Sequence, residues 1–151
     1  MTGICNRRSF ALMTDESLRK AKKKNKTFCV LIIDLDNFKP INDNFGHSEG
    51  NEVLCNFADM LEDLSSSKSV VARLGGDEFG VLLPESTYKE AEEFLHKLRA
   101  GITSYNLNSH KKYNIDFSAG IIEYDEKIHT ERSAIMQGAD ERMYEIKKGK
   151  R

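Results

Sequence analysis

Six consecutive apolar residues, Phe28-Cys29-Val30-Leu31-Ile32-Ile33, run directly into Asp34-Leu35-Asp36. An apolar run without alternation predicts a strand buried on both faces. Such a strand belongs in the middle of a sheet with helices on either side. It delivers Asp34 to its C-terminal end, where an unpaired carboxylate would be costly.

The remaining periodicities supply the layers. Asn6 is placed to cap a first helix running to about Lys24, with Phe10, Met13 and Ala21 inward and lysines at its C-terminal end. Val53, Leu54, Phe57, Leu61 and Leu64 predict a helix over about 52–64. Val70 to Leu74 and Phe79 to Leu83 read as two strands, and Gly75-Gly76-Asp77 between them as a hairpin turn. Thr87 and Glu90 make a capping-box pattern ahead of Ala91, Phe94, Leu95, Leu98 and Ile102. Ile115, Phe117, Ala119 and Ile121 alternate as a strand, and Ile135, Met136, Ala139, Met143 and Ile146 predict a last helix. The expected fold is α/β, a mixed central β-sheet covered by helices. Its length, 151 residues, suits a single domain over 1–151.

Composition removes several functions. Hydrophobic residues make up 39% and charged residues 31%, which suits a globular chain and not a disordered one. The net charge of -1 gives no global field toward a nucleic-acid backbone, so any phosphate binding must be local. Cys5, Cys29 and Cys55 form no CxxC or Cys/His cluster and read as reduced thiols of a cytoplasmic protein. The longest apolar run is too short to span a membrane, and the N-terminus lacks a signal-peptide core. A longer parent protein could still carry a membrane anchor.

Two acidic points stand out: Asp34 after the buried strand, and Asp77-Glu78 at the Gly-Gly hairpin. If the two strands are neighbours, the carboxylates converge. Two carboxylates completed by substrate phosphates are a typical magnesium site. Spacing alone also allows Asp34 to be a strand-end turn residue and Gly75-Gly76 an ordinary type I′ turn. His47 reads as a structural or capping residue, and the run Lys147, Lys148, Lys150, Arg151 as a cationic helix end. Phe79 and Phe117 read as core.

Arg73-Leu74-Gly75-Gly76-Asp77-Glu78-Phe79 contains, letter for letter, the signature of the GGDEF family. Four further segments resemble that family in order. They are Thr2 to Phe10, Asp34 to His47, Phe117-Ser118-Ala119-Gly120-Ile121, and Ala139-Asp140 with Tyr144 and Lys147. The resemblance implies a nucleotide cyclase or polymerase-palm-like fold and a diguanylate cyclase. Such enzymes join two GTP into cyclic di-GMP, releasing pyrophosphate, with Mg2+ or Mn2+ and a transient homodimer of GGDEF domains. Position by position, it implies that Asp34 and Asp77 are metal ligands through their side chains, and Leu35 through its carbonyl. Glu78 would lie by the metal or help activate the 3′-hydroxyl. Gly75 and Gly76 would let the hairpin backbone approach GTP. Phe38 and Lys39 would line the triphosphate pocket with backbone amides, and Asn42 would read guanine. Lys147 and Arg151 would hold terminal phosphates, while Arg73 would brace the hairpin. An upstream sensor domain in a larger parent protein is also expected.

Three positions depart from the family pattern. Asn51 stands where the family usually has an aspartate that reads guanine, which predicts weaker guanine preference and some cyclic GMP–AMP. Ser66-Ser67-Lys68-Ser69 replaces the Arg-x-x-Asp of the product-inhibition site, so Ser66 and Ser69 predict no inhibition there. Lys150-Arg151 stands where the family often has Gly-Arg. Two competing functions remain: a GTP-binding regulatory module without turnover, and an interaction domain without nucleotide.

Overall fold

The computed structural model describes residues 4–150. In chain order the elements are α1 (Arg7–Lys24), β1 (Phe28–Asp36), α2 (Phe38–Phe45), α3 (His47–Leu64), β2 (Val70–Gly75), β3 (Glu78–Pro84), α4 (Tyr88–Asn108), β4 (Asp116–Glu123) and α5 (Arg132–Gly149). The strands form one sheet in the order β2-β3-β1-β4. The apolar run is therefore internal, as its lack of alternation predicts. Cys29, Leu31, Ile33 and Leu35 point into one core with residues of α3 and α4. Phe28, Val30 and Ile32 point into the other, with residues of α1 and α5. Each such side chain contributes about 1.5–3 kcal/mol by leaving water.

The α/β sandwich stands, but the four strands pair antiparallel throughout rather than as a mixed sheet. The crossover from β1 leaves β2 parallel to β1 in direction. The hairpin then folds β3 back into the place between them. Among the described residues the parallel pairing is an isolated bridge from Cys5 to Ala72.

Several local readings hold and others shift. The Asn6 side chain accepts from the Ser9 amide at 2.8 Å, and that of Thr87 accepts from Glu90 at 3.3 Å. Both caps are where the sequence puts them. Met13, expected inward, is 41% exposed, and Ile146, part of the apolar pattern of the last helix, is 49% exposed. The stripe of α1 instead runs Phe10, Thr14, Leu18, Ala21, and Thr14 is tolerated there because its hydroxyl donates to the Phe10 carbonyl. The helix expected over 52–64 starts at His47, and the short α2 precedes it. Pro40 lies in the first turn of α2, where its missing N–H is not needed. No helix of the described residues is long and apolar enough to cross a membrane.

Candidate active site

Strands β1 and β3 bring the two acidic points together. Asp34 faces Glu78 across the ladder, and one step further the Leu35 amide donates to the Asp77 carbonyl at 3.1 Å. The hairpin closes from Gly75 to Glu78, with Gly76 and Asp77 as its loop. Gly76 has φ +40°, whereas Asp77 is not among the described residues with positive φ. The turn is thus not type I′, which requires positive φ at both loop positions. Arg73 donates twice to the Gly76 carbonyl, at 3.0 and 2.8 Å, so it braces the hairpin. Arg7 adds a bond to the Leu74 carbonyl at 3.1 Å. A register shift between Arg73 and Gly75 marks where the strand bends out of the sheet.

The carboxylates sit in a strained electrostatic setting. Burial raises the Asp34 carboxyl above the ordinary aspartate range; Lys147 draws it back, and neighbouring Asp77 pushes it further up. Glu78 is raised first by burial, then by Asp140 and Asp34, against the pull of Arg7. Asp34 Oδ1 is buried without a hydrogen-bond partner. An orphaned carboxylate oxygen beside a second carboxylate is a donor set that suits a hard divalent cation. Among the described residues no three His, Cys, Asp or Glu side chains gather as a ligand cluster. A cation here would draw on Asp34, Asp77, the Leu35 carbonyl and oxygens of a substrate.

Helix α5 reaches this point from the other side. A Cβ on Gly120 would lie 2.1 Å from the Ala139 carbonyl oxygen and 2.4 Å from the Met143 nitrogen. Only glycine lets the helix backbone approach β4 that closely. Lys147 then stands 3.0 Å from Asp34 Oδ2 and donates to the Leu35 carbonyl at 3.2 Å. Lys150 binds Asp36 and the Phe117 carbonyl, a role that its place in a basic tail concealed. Arg151 lies outside the described residues.

Leu35, Asn37, Phe38, Asp77, Lys147 and Lys150 line a cavity of about 530 Å3. The first turn of α2 lies on its rim. Asn37 turns the chain into α2 with φ +56° and gives no side-chain cap. First-turn amides such as those of Phe38 and Lys39 have no intrahelical partner, so they are available to an anion. Lys39 also lines the cavity, and its ammonium lies 2.7 Å from Asp43 on its own helix.

Asn42 lies half-buried against α3. A Cβ on Gly50 would fall 1.8 Å from Asn42 Oδ1. Asn42 is thereby set beside Gly50 and Asn51, with Asn51 exposed on the first turns of α3. A flanking network escaped the sequence analysis. Lys111 lies 2.6 Å from Glu49 and 3.2 Å from Glu52, and the Tyr113 hydroxyl donates to Glu49 at 2.7 Å. Its partners are about sixty residues apart in sequence, and no local pattern announces them. At the far end of β2, Ser66 and Ser69 close on each other, with hydroxyl oxygens 3.0 Å apart.

Residues 1–151 match the family described as "Diguanylate cyclase, GGDEF domain". The probable diguanylate cyclase DgcE of Escherichia coli is 32% identical over 152 residues, covering 100% of this chain and 14% of that protein. Diguanylate cyclase DgcM of the same species is 31% identical over 147 residues, covering 97% and 35%. The chain thus spans a minor part of both relatives. The GGDEF domain of DgcB from Caulobacter crescentus, solved in complex with c-di-GMP, superposes with TM-score 0.91 at 27% identity, covering 99% and 86%. The GGDEF domain of TpbB from Pseudomonas aeruginosa gives TM-score 0.89 at 33% identity, covering 98% and 87%. With its signature hairpin at the end of a buried strand, its two converging carboxylates and this match over the whole length, the chain belongs to the diguanylate cyclase GGDEF-domain family.

Proposed function

We propose that this domain is a diguanylate cyclase that condenses two GTP into cyclic di-GMP, as a transient homodimer with Mg2+ or Mn2+. What supports it most is the gathering of Asp77, Lys147 and the free amides of α2 around one cavity, with Asp34 and its orphaned buried oxygen set against Lys147 and Asp77 behind it. Asp34, Asp77 and the Leu35 carbonyl would hold the metal, which would neutralise charge developing on the transferred phosphate. The first-turn amides of α2 and Lys147, joined by Arg151, hold the β- and γ-phosphates. Gly75 and Gly76 let the hairpin backbone come close to the nucleotide. Asn42 and Asn51 meet the guanine edge.

Each 3′-hydroxyl attacks the α-phosphorus of the GTP on the other domain. A P–O bond forms, the bond to pyrophosphate breaks, and the hydroxyl proton leaves. Glu78 takes part as proton acceptor, since its raised carboxyl is a better base than an ordinary glutamate. Two rounds close the ring and release two pyrophosphates. One domain carries only one GTP, so pairing is required, and an upstream sensor domain in the parent protein would set how often pairs form. Cyclic di-GMP formation measured across a dilution series should then rise more steeply than linearly with protein concentration. A constant specific activity over the whole series would refute the transient pair.

A second reading rests on Asn51. Its amide offers a donor where a carboxylate would only accept, so adenine is rejected less strongly and some cyclic GMP–AMP forms from mixed nucleotides.

A further inference from the structure

The residue that caps the C-terminus of α5 is a lysine whose contacts are unlike those of a solvated helix end. Lys150 Nζ lies 2.7 Å from Asp36 Oδ2, 2.6 Å from the Phe117 carbonyl oxygen and 3.5 Å from Asp116 Oδ2. Asp36 and Asp116 face each other in the β1–β4 register. Like charges directly opposite on neighbouring strands repel. Asp36 is moreover only 8% exposed, and Ser118 donates to its other oxygen at 2.8 Å. A carboxylate so placed needs a cation, and Lys150 at 2.7 Å is nearer to Asp36 than Lys147 at 3.8 Å, while Asp116 also pairs with Arg99 at 3.2 Å. The three ammonium protons of Lys150 have three protein acceptors at hand, one of them long.

The consequence falls on Lys147. It lies three residues earlier on the same helix, hence on the same side. Its reach to Asp34 and Leu35 depends on where the last turn of α5 sits. Upstream, that helix is set by its backbone contact at Gly120 and by Arg142, which donates to the Ile121 carbonyl at 2.7 Å. Downstream, Lys150 supplies the tie.

We propose that Lys150 is a positioning residue: held by Asp36, the Phe117 carbonyl and Asp116, it fixes the last turn of α5 and so aims Lys147 into the phosphate cavity. It rests on the GTP-site reading only in what Lys147 finally binds. Lys150 acts through Lys147 and does not itself hold phosphate, because its donors are already directed to the strand ends.

Two measurements on the whole chain test this, with Lys150→Gln, Lys150→Arg, Lys147→Gln and the double glutamine variant. The first is amide hydrogen exchange without nucleotide. Lys150→Gln should speed exchange about tenfold at residues 147–149, with α1 and α4 unchanged. No change in that turn, or a uniform rise in every helix, would overturn the tie. The second is calorimetric binding of a GTP analogue with an α,β-methylene link, in magnesium. Lys150→Gln should weaken binding about fivefold alone but less than twofold when Lys147 is already glutamine. Lys150→Arg should keep most of the affinity. A full fivefold loss in the Lys147→Gln background would make Lys150 a phosphate ligand and overturn its positioning role. If the unmodified chain binds no analogue, the GTP-site reading fails, and hydrogen exchange alone decides the tie.

Discussion

The two groups of residues proposed for the nucleotide, one for its phosphates and one for its base, are built differently. At the phosphate end, charges are half-buried and interlocked: Asp34 with Lys147, Asp36 with Lys150 and Ser118, and the hairpin with Arg73 and Arg7. At the base end, Asn42 rests on a glycine and Asn51 is exposed on the rim of a helix. A change at the first end leaves a buried charge without its partner, which is costly. A change at the second alters hydrogen-bonding capacity while leaving the frame intact. On the proposed reading the chemistry is therefore the constrained half of the site, and base choice the adjustable half.

The sharpest break of that contrast lies at the proposed metal ligands. Asp77→Asn is expected to lower cyclic di-GMP formation by about a thousandfold or more while Tm stays unchanged or rises, since several kcal/mol of charge stabilisation are lost. Turnover assays beside thermal melts check this. Gly50→Ala comes next. The new Cβ must displace the Asn42 side chain, so GTP affinity should fall about tenfold by calorimetry. Alanine in a helix is favourable by about 1 kcal/mol over glycine, so Tm should not fall. Retained affinity would remove Asn42 from base recognition. Asn51→Asp should raise the preference for GTP over ATP about fivefold, read from competition between the two nucleotides.

Acid–base behaviour sharpens the same contrast with a smaller effect. The Glu78 carboxyl is raised from its usual 4.5 by burial, Asp140 and Asp34. The folded state thus holds that proton more tightly than the unfolded chain. This favours folding below about pH 4.5 and is lost as pH rises through the folded-state value. Glu78→Gln should therefore raise Tm at pH 7 in nucleotide-free protein with chelator, and the gain should vanish near about pH 4. A gain independent of pH would assign the effect elsewhere. The smallest effect belongs to Ser66 and Ser69. Changing both to alanine should leave the response to added cyclic di-GMP unaltered, because two hydroxyls offer no fork for a phosphate.

Much of the frame was legible because it follows local rules. The run from Phe28 to Ile33, short, unbroken and rich in branched residues, points to a strand buried on both faces, and the Asn6 and Thr87 caps are short-range. The meeting of Asp34 and Asp77 required only that β1 and β3 be neighbours. What escaped depends on the third dimension. Helix α2 is short, carries Pro40, and buries only Ile41, so its periodicity is faint. The strands could not be oriented from their patterns, because the place of β3 between β1 and β2 is a matter of topology. Lys150 looks like any cation at a helix end until Asp36 and Asp116 appear beneath it. Asp36, two residues after Asp34 and hence on the same strand face, was the available clue.

The most direct test is to incubate the purified domain at high concentration with GTP, ATP or both, in magnesium or manganese, and to identify products by mass spectrometry. Cyclic di-GMP from GTP alone, lost in Asp77→Asn, is the predicted result, with a minor mixed cyclic dinucleotide when ATP is present. Magnesium-dependent GTP binding without any cyclic product, even when two domains are held together by a fused dimerisation segment, would contradict it and leave a nucleotide-sensing module.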